Sequence, residues 1–140
     1  MNNNNEIGVL GEDIASRFLK NEGFQVVERN YRKKWGEIDI VARETKRENL
    51  SKKTIIHFIE VKSVSRETKE DVTHETSRNY RRPEDAVHPL KVKRLKRVIQ
   101  SYLLEKNRGE NLEWQFDIIA VFIDTKNKSS KVRFTQKLII

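Results

Sequence analysis

Two carboxylates sit inside runs of apolar, strand-forming residues. Asp39 lies within Glu37-Ile38-Asp39-Ile40-Val41, and Glu60 lies within Phe58-Ile59-Glu60-Val61-Lys62. A buried carboxylate without a cation or a set of donors is strongly disfavoured, so each calls for a partner. Side chains alternate along a strand, so Glu60 and Lys62 project from one face while Ile59 and Val61 project from the other. If Asp39 comes from a neighbouring strand, the two carboxylates can converge on one hard cation. Mg²⁺ or Mn²⁺ prefers such oxygen ligands and keeps several waters, and the backbone carbonyl of Val61 could add a further oxygen. Lys62 could then orient a water and stabilise charge developing on a phosphoryl oxygen, beside a metal that acidifies that water. The plain alternative is a solvated Glu60/Lys62 stripe on an edge strand with Asp39 at the surface, because a lone Glu-x-Lys tripeptide is a weak signal.

The composition suits a polyanionic substrate. The chain of 140 residues has 29 Lys plus Arg against 21 Asp plus Glu, a net charge of +8 that favours phosphates as partners. The length accommodates one compact domain, expected over 6–140 behind a disordered leader at 1–5. The absence of cysteine excludes disulfides and thiolate metal sites, leaving oxygen and imidazole ligands. The first residues are polar rather than signal-like and no apolar run is long enough for a bilayer, so a cytoplasmic, membrane-free protein is expected.

The elements that must hold the carboxylates can be read in order. Ile7, Leu10, Gly11, Ile14, Ala15, Phe18 and Leu19 share one side of a helix over 6–21, with Gly23 as its C-terminal cap. Strands are expected over 24–29 and 37–43, joined by a basic connection into a hairpin. The charged stretch 43–53 reads as a solvated loop. A third strand over 54–63 is almost continuously apolar, as in a strand buried on both faces. The strongly polar segment 64–85 reads as a loop, or as a region that orders on binding. Pro89 suits the first turn of a second helix to about residue 107, with Val92, Leu95, Val98, Ile99, Tyr102 and Leu103 on one arc. A fourth strand over 116–123 and a weaker fifth over 131–139 complete the chain. A helical crossover makes the third and fourth strands parallel, predicting an α/β fold: a mixed sheet with a three-strand antiparallel start, flanked by two helices.

The string Gly36-Glu37-Ile38-Asp39-Ile40-Val41-Ala42-Arg43, followed by Phe58-Ile59-Glu60-Val61-Lys62, resembles the PD-(D/E)XK nuclease superfamily. Within it, the chain resembles the small bacterial YraN-like proteins, which are similar to archaeal Holliday junction resolvases. The likeness extends from Gly8 and Glu12 through Glu28-Arg29-Asn30-Tyr31-Arg32 to Pro83-Glu84-Asp85-Ala86-Val87, Lys91 and Phe116 to Val121. It implies a restriction-endonuclease-like sheet and metal ligation by Asp39 and Glu60. It also implies a catalytic role for Lys62, support of the metal by Glu12, and an endonuclease for branched or structured DNA. Two departures stand out: the motif's proline is replaced by Glu37-Ile38, and the stretch 44–53 is longer than a tight hairpin.

Arg78, Arg81 and Arg82, with Lys91, Lys93, Arg94 and Arg97 on the second helix, form the expected phosphate-gripping surface; a solvated charged face is the ordinary meaning of such runs. Nothing resembles a base-reading motif, so nucleic acid, DNA before RNA, would be recognised by shape. Symmetric junction cutting would call for a homodimer. Asp117 reads as a supporting group within the fourth strand, or as a partner for an Arg or Lys at the edge of the core. His57, on the face opposite Glu60, reads as structural. Trp35 and Trp114 read as packing residues. The alternatives to an enzyme are a non-catalytic nucleic-acid-binding module that keeps the fold, and a basic scaffold for an acidic protein.

Overall fold

The computed structural model describes residues 3–66, 89–106 and 112–140. Helix α1 (Asn3–Asn21) is followed by strands β1 (Gln25–Lys33), β2 (Gly36–Glu48) and β3 (Ser51–Arg66), helix α2 (Pro89–Lys106), and strands β4 (Glu113–Asp124) and β5 (Ser129–Leu138). The strand order is β1-β2-β3-β4-β5. The β3–β4 pair is parallel and the others are antiparallel. This is the predicted mixed sheet with its parallel crossover pair, and each helix covers one face.

The alternation of side chains builds two separate cores. Leu95, Val98, Ile99 and Tyr102 of α2 pack on Val41, Ile56, Phe58, Phe116 and Ile118. Ala15 and Leu19 of α1 pack on Ile40, Ala42, Ile59, Ile119 and Val121. Neighbouring residues such as Phe58 and Ile59 thus serve opposite layers, which is why β3 reads as a continuous apolar run.

Helix α1 ends in a complete Schellman cap. Gly23, at φ +93°, donates to the Lys20 carbonyl and Phe24 N–H donates to the Leu19 carbonyl. Gly11 is where the helix touches the sheet. A Cβ there would stand 1.8 Å from Ser63 Oγ and 2.9 Å from Ser63 Cβ. Gly11→Ala is therefore expected to lift α1 from β3. Overpacking costs about 1–3 kcal/mol and improved helix propensity returns about 1 kcal/mol, so thermal denaturation should show a net loss of about 1 kcal/mol. Gly11→Ala/Ser63→Gly should recover it; an unrecovered loss would mean that the helix is seated elsewhere.

Three sequence expectations need correction. β1 continues to Lys33 rather than ending at residue 29, and its extension places the buried Tyr31 under Tyr102 of α2. The stretch 43–53 is not a loop. β2 and β3 pair without interruption from Ile40↔Ile59 to Glu48↔Ser51, closing on the two-residue turn Asn49-Leu50. Asn49 takes φ 55° there, a conformation that asparagine tolerates. The extra length is thus a ribbon directed away from the carboxylates. Helix α1 also begins at Asn3, inside the stretch expected as a leader.

Candidate active site

The backbone singles out Asp39. Ile38 packs in the α2 core and Ile40 in the α1 core, although two residues apart should share a face. β2 therefore turns about its own axis at Asp39, and its pairing with β3 begins only at Ile40. The Val61 N–H, left without a β2 carbonyl at this fork, donates instead to Asp39 Oδ2 at 2.8 Å. The side chain consequently reaches two clefts. One, of about 410 Å³ on the α2 side, also takes Glu60, Lys91 and Arg94. The other, of about 1170 Å³ on the α1 side, takes Glu12, Asn30, Arg32 and Ser63.

Asp39 sits in negative surroundings. Burial, followed by Glu12, Glu60 and Glu37, pushes its carboxyl from the ordinary 3.8 up to about 7, against the pull of the Val61 amide. Burial likewise raises Glu12, aided by Glu37 and Asp13, while Arg29 and a hydrogen bond from Asn30 pull it down. Arg29 reaches Glu12 at 3.9 Å but pairs more closely with Asp13 at 2.9 Å.

Glu60 faces cations instead. Lys62 Nζ stands 3.6 Å from Glu60 Oε1, and Lys91 Nζ donates to the same oxygen. Burial alone would push the Lys91 ammonium down, but the hydrogen bond and charge of Glu60 outweigh it, leaving the pKa above the usual lysine value. The β2–β3 pairing ends at Ile40↔Ile59, so Asp39 and Glu60 are the next residues along their strands and line one cleft, and Lys62 follows Glu60 on the same face of β3.

These donors are of the oxygen type that a hard divalent ion takes. Burial and three other carboxylates hold the Asp39 carboxyl up, and Mg²⁺ is commonly held by one or two carboxylates and water. Among the described residues, however, no group of three or more Asp, Glu or His is arranged to hold a metal. Glu60 would also have to exchange Lys91 for the ion.

The expected phosphate-gripping residues divide. Lys91 and Arg94 lie in the carboxylate cleft, so Lys91 belongs with Glu60 rather than on an outer surface. Lys93 is exposed. The Arg97 guanidinium lies 4.3 Å over the Trp35 ring, whose Nε1–H donates to Ser101 at 3.2 Å. Trp35 is thereby committed to packing. Arg78, Arg81 and Arg82, with the 83–87 motif, lie outside the described residues.

Sequence reasoning passed over two features. Glu37 is electrostatically coupled to both Asp39 and Glu12. A second polar group is buried under the α1 face: His57 Nδ1 meets Asp117 Oδ2 at 2.5 Å and Nε2 meets Glu44 Oε1 at 3.0 Å. Alternation placed His57 opposite Glu60, as found, but its partners follow from register. Asp117 is two residues from Gln115, His57's partner on β4, and Glu44 is two residues from Ala42, its partner on β2, so all three side chains share a face.

No described helix is long and apolar enough to cross a membrane. A family model described as "Uncharacterised protein family UPF0102" matches residues 11–121, spanning both carboxylates, Lys62 and Lys91. A UPF0102 protein of Caldicellulosiruptor saccharolyticus is 32% identical over 126 residues, covering 90% of each chain. One from Chloroherpeton thalassium is 34% identical over 130 residues, 93% of this chain and 85% of that one. One from Campylobacter lari is 35% identical over 120 residues, 84% of each. With a site built from the segment the family model spans and such relatives along most of its length, the chain belongs to the uncharacterised family UPF0102.

Proposed function

We propose that the protein is a metal-dependent endonuclease that hydrolyses phosphodiester bonds in branched or structured DNA. The observation that carries this reading is the fork at Asp39. There a carboxyl raised to about 7 and held by the Val61 amide lines one cleft with Glu60, Lys91 and Arg94, and Lys62 follows Glu60 on its face of β3. Asp39 and Glu60 are the proposed ligands of Mg²⁺ or Mn²⁺, with the Val61 carbonyl and Glu12 as supporting donors. When bound, the ion supplies Lewis acidity and a water of lowered pKa. The Val61 amide orients Asp39, Lys62 neutralises charge on the phosphoryl oxygens, and Lys91 with Arg94 holds the entering backbone. Lys91 leaves Glu60 for the substrate phosphate as the site fills.

A second reading, a nucleic-acid-binding module without catalysis, is favoured by the two ammonium groups already on Glu60. Incubation with linear, flapped and four-way DNA, in Mn²⁺ and in chelator, separates the two. The nuclease gives Mn²⁺-dependent products, reduced at least about 100-fold by Glu60→Gln and by Lys62→Ala, as for removal of a group that stabilises transition-state charge. Binding to every substrate with no products would leave the module. Cleavage indifferent to both substitutions would rule out this site.

A further inference from the structure

The ribbon formed by the outer parts of β2 and β3 carries charge in an arrangement that works against its own stability. Lys46 stands directly opposite Lys53, and Arg47 directly opposite Lys52. Like charges at directly opposed positions destabilise an antiparallel pair, and opposite charges there would have stabilised it. The carboxylates nearby do not relieve this. Glu44 is turned inward onto His57, and Glu48 at the tip opposes Ser51. Lys53 has Glu113 at 3.1 Å, but Lys46, Arg47 and Lys52 have no ion pair among the described residues, and all three are exposed. Adjacent positions alternate, so Lys46 and Lys53 project on the α1 side, and Arg47 and Lys52 on the α2 side. At the tip, Leu50 is fully exposed.

We infer that this ribbon is a second nucleic-acid contact, entering the major groove of a duplex with Lys46 turned toward one phosphate wall and Arg47 with Lys52 toward the other. The groove admits a two-stranded ribbon, and cations on both faces match a groove flanked by two backbones. Nine residues separate Asp39 from Glu48, so at roughly 3.3 Å per residue the tip stands about 30 Å from the carboxylates, close to one helical turn. The proposed nuclease activity supplies the choice of polyanion, and on that point the inference rests on it. It adds the requirement for a duplex long enough to reach both ends of the sheet.

The test uses the full chain and the variant Lys46→Glu/Arg47→Glu, which converts both like-charge pairs into cross-strand ion pairs. Binding is read by fluorescence anisotropy on duplexes of about 30 and about 8 base pairs, roughly three turns and less than one. On the long duplex the variant is expected to bind at least about tenfold more weakly, and its slope of log affinity against log salt should fall by about 2. On the short duplex the two proteins should match. The variant's melting temperature should not fall, which separates a lost contact from a lost fold. Equal affinity for the long duplex, with Mn²⁺-dependent cleavage intact in both proteins, overturns the ribbon contact and leaves the nuclease reading standing. If the parent protein binds neither duplex and cuts neither flapped nor four-way DNA in Mn²⁺, both fall together.

Discussion

At pH 8 the Asp39→Asn protein is expected to unfold at a higher temperature than the parent while losing its response to Mn²⁺. Burial, then Glu12, Glu60 and Glu37, place the folded carboxyl at about 7 against 3.8 in the open chain. The folded state therefore holds this proton more tightly than the unfolded one. The contribution to stability is fully present below about pH 4 and is lost as pH rises through 7. A gap of about three pKa units corresponds to about 4 kcal/mol at most, and the cleft's opening to water reduces it to about 2 kcal/mol. The amide keeps an oxygen for the Val61 N–H and cannot ionise, so it escapes the penalty. The melting temperatures should differ by about 5 °C or more at pH 8 and converge near pH 4. Added Mn²⁺ should raise the parent's melting temperature at pH 8, by binding only the folded state, and leave the variant unmoved. Equal melting at pH 8, or Mn²⁺ stabilisation of the variant, would remove Asp39 from the site.

This penalty explains why the site was legible early. A carboxylate inside an apolar strand stands out because folding does not retain it without a reason, and Asp39 and Glu60 both announce themselves this way. The alternation Phe58, Glu60, Lys62 against Ile59, Val61 also survives intact, because period two is a property of any strand. What escaped notice depends on partners distant in sequence. Lys91 belongs to a lysine- and arginine-rich helical turn whose residues look alike; only the α2 crossover singles it out for Glu60. The twist of β2 at Asp39 leaves no pattern in the residues, since Ile38 and Ile40 are equally apolar and merely enter different cores.

The ribbon was hidden for another reason. Apolar/polar alternation reports a strand with one buried face, and the outer residues of β2 are exposed on both. Lys46, Arg47, Lys52 and Lys53 thus read as loop although they are regularly paired. The sequence signal of β1 stops short in the same way, because Asn30 follows the charged Glu28-Arg29 pair before Tyr31 restores the core contact. Local pattern specifies the layers and the candidate carboxylates, and the long-range pairing supplies the partners of each polar group.

The largest loss of stability is expected from Asp117→Ala. Asp117 has no solvent exposure and accepts from His57, from Gln115 Nε2 at 2.8 Å and from the Lys137 amide at 2.9 Å. Alanine leaves these donors without their acceptor, and breaking such a buried pair costs about 3–5 kcal/mol, a large share of a domain's total of about 5–15. Burial alone would hold the His57 imidazole below its ordinary value, but Asp117 and Glu44 outweigh it and raise the pKa. Protonated His57 thus adds stability that is full below pH 6.5 and is lost as pH rises through the folded value. Chemical denaturation of the parent should show this decline on the alkaline side, and Asp117→Ala should flatten it along with the overall loss. Asp117→Leu/His57→Leu removes both partners of the pair, so it should cost less than the two single changes added together. Additive losses would mean that the two side chains act independently and that the imidazole owes its charge to Glu44 alone.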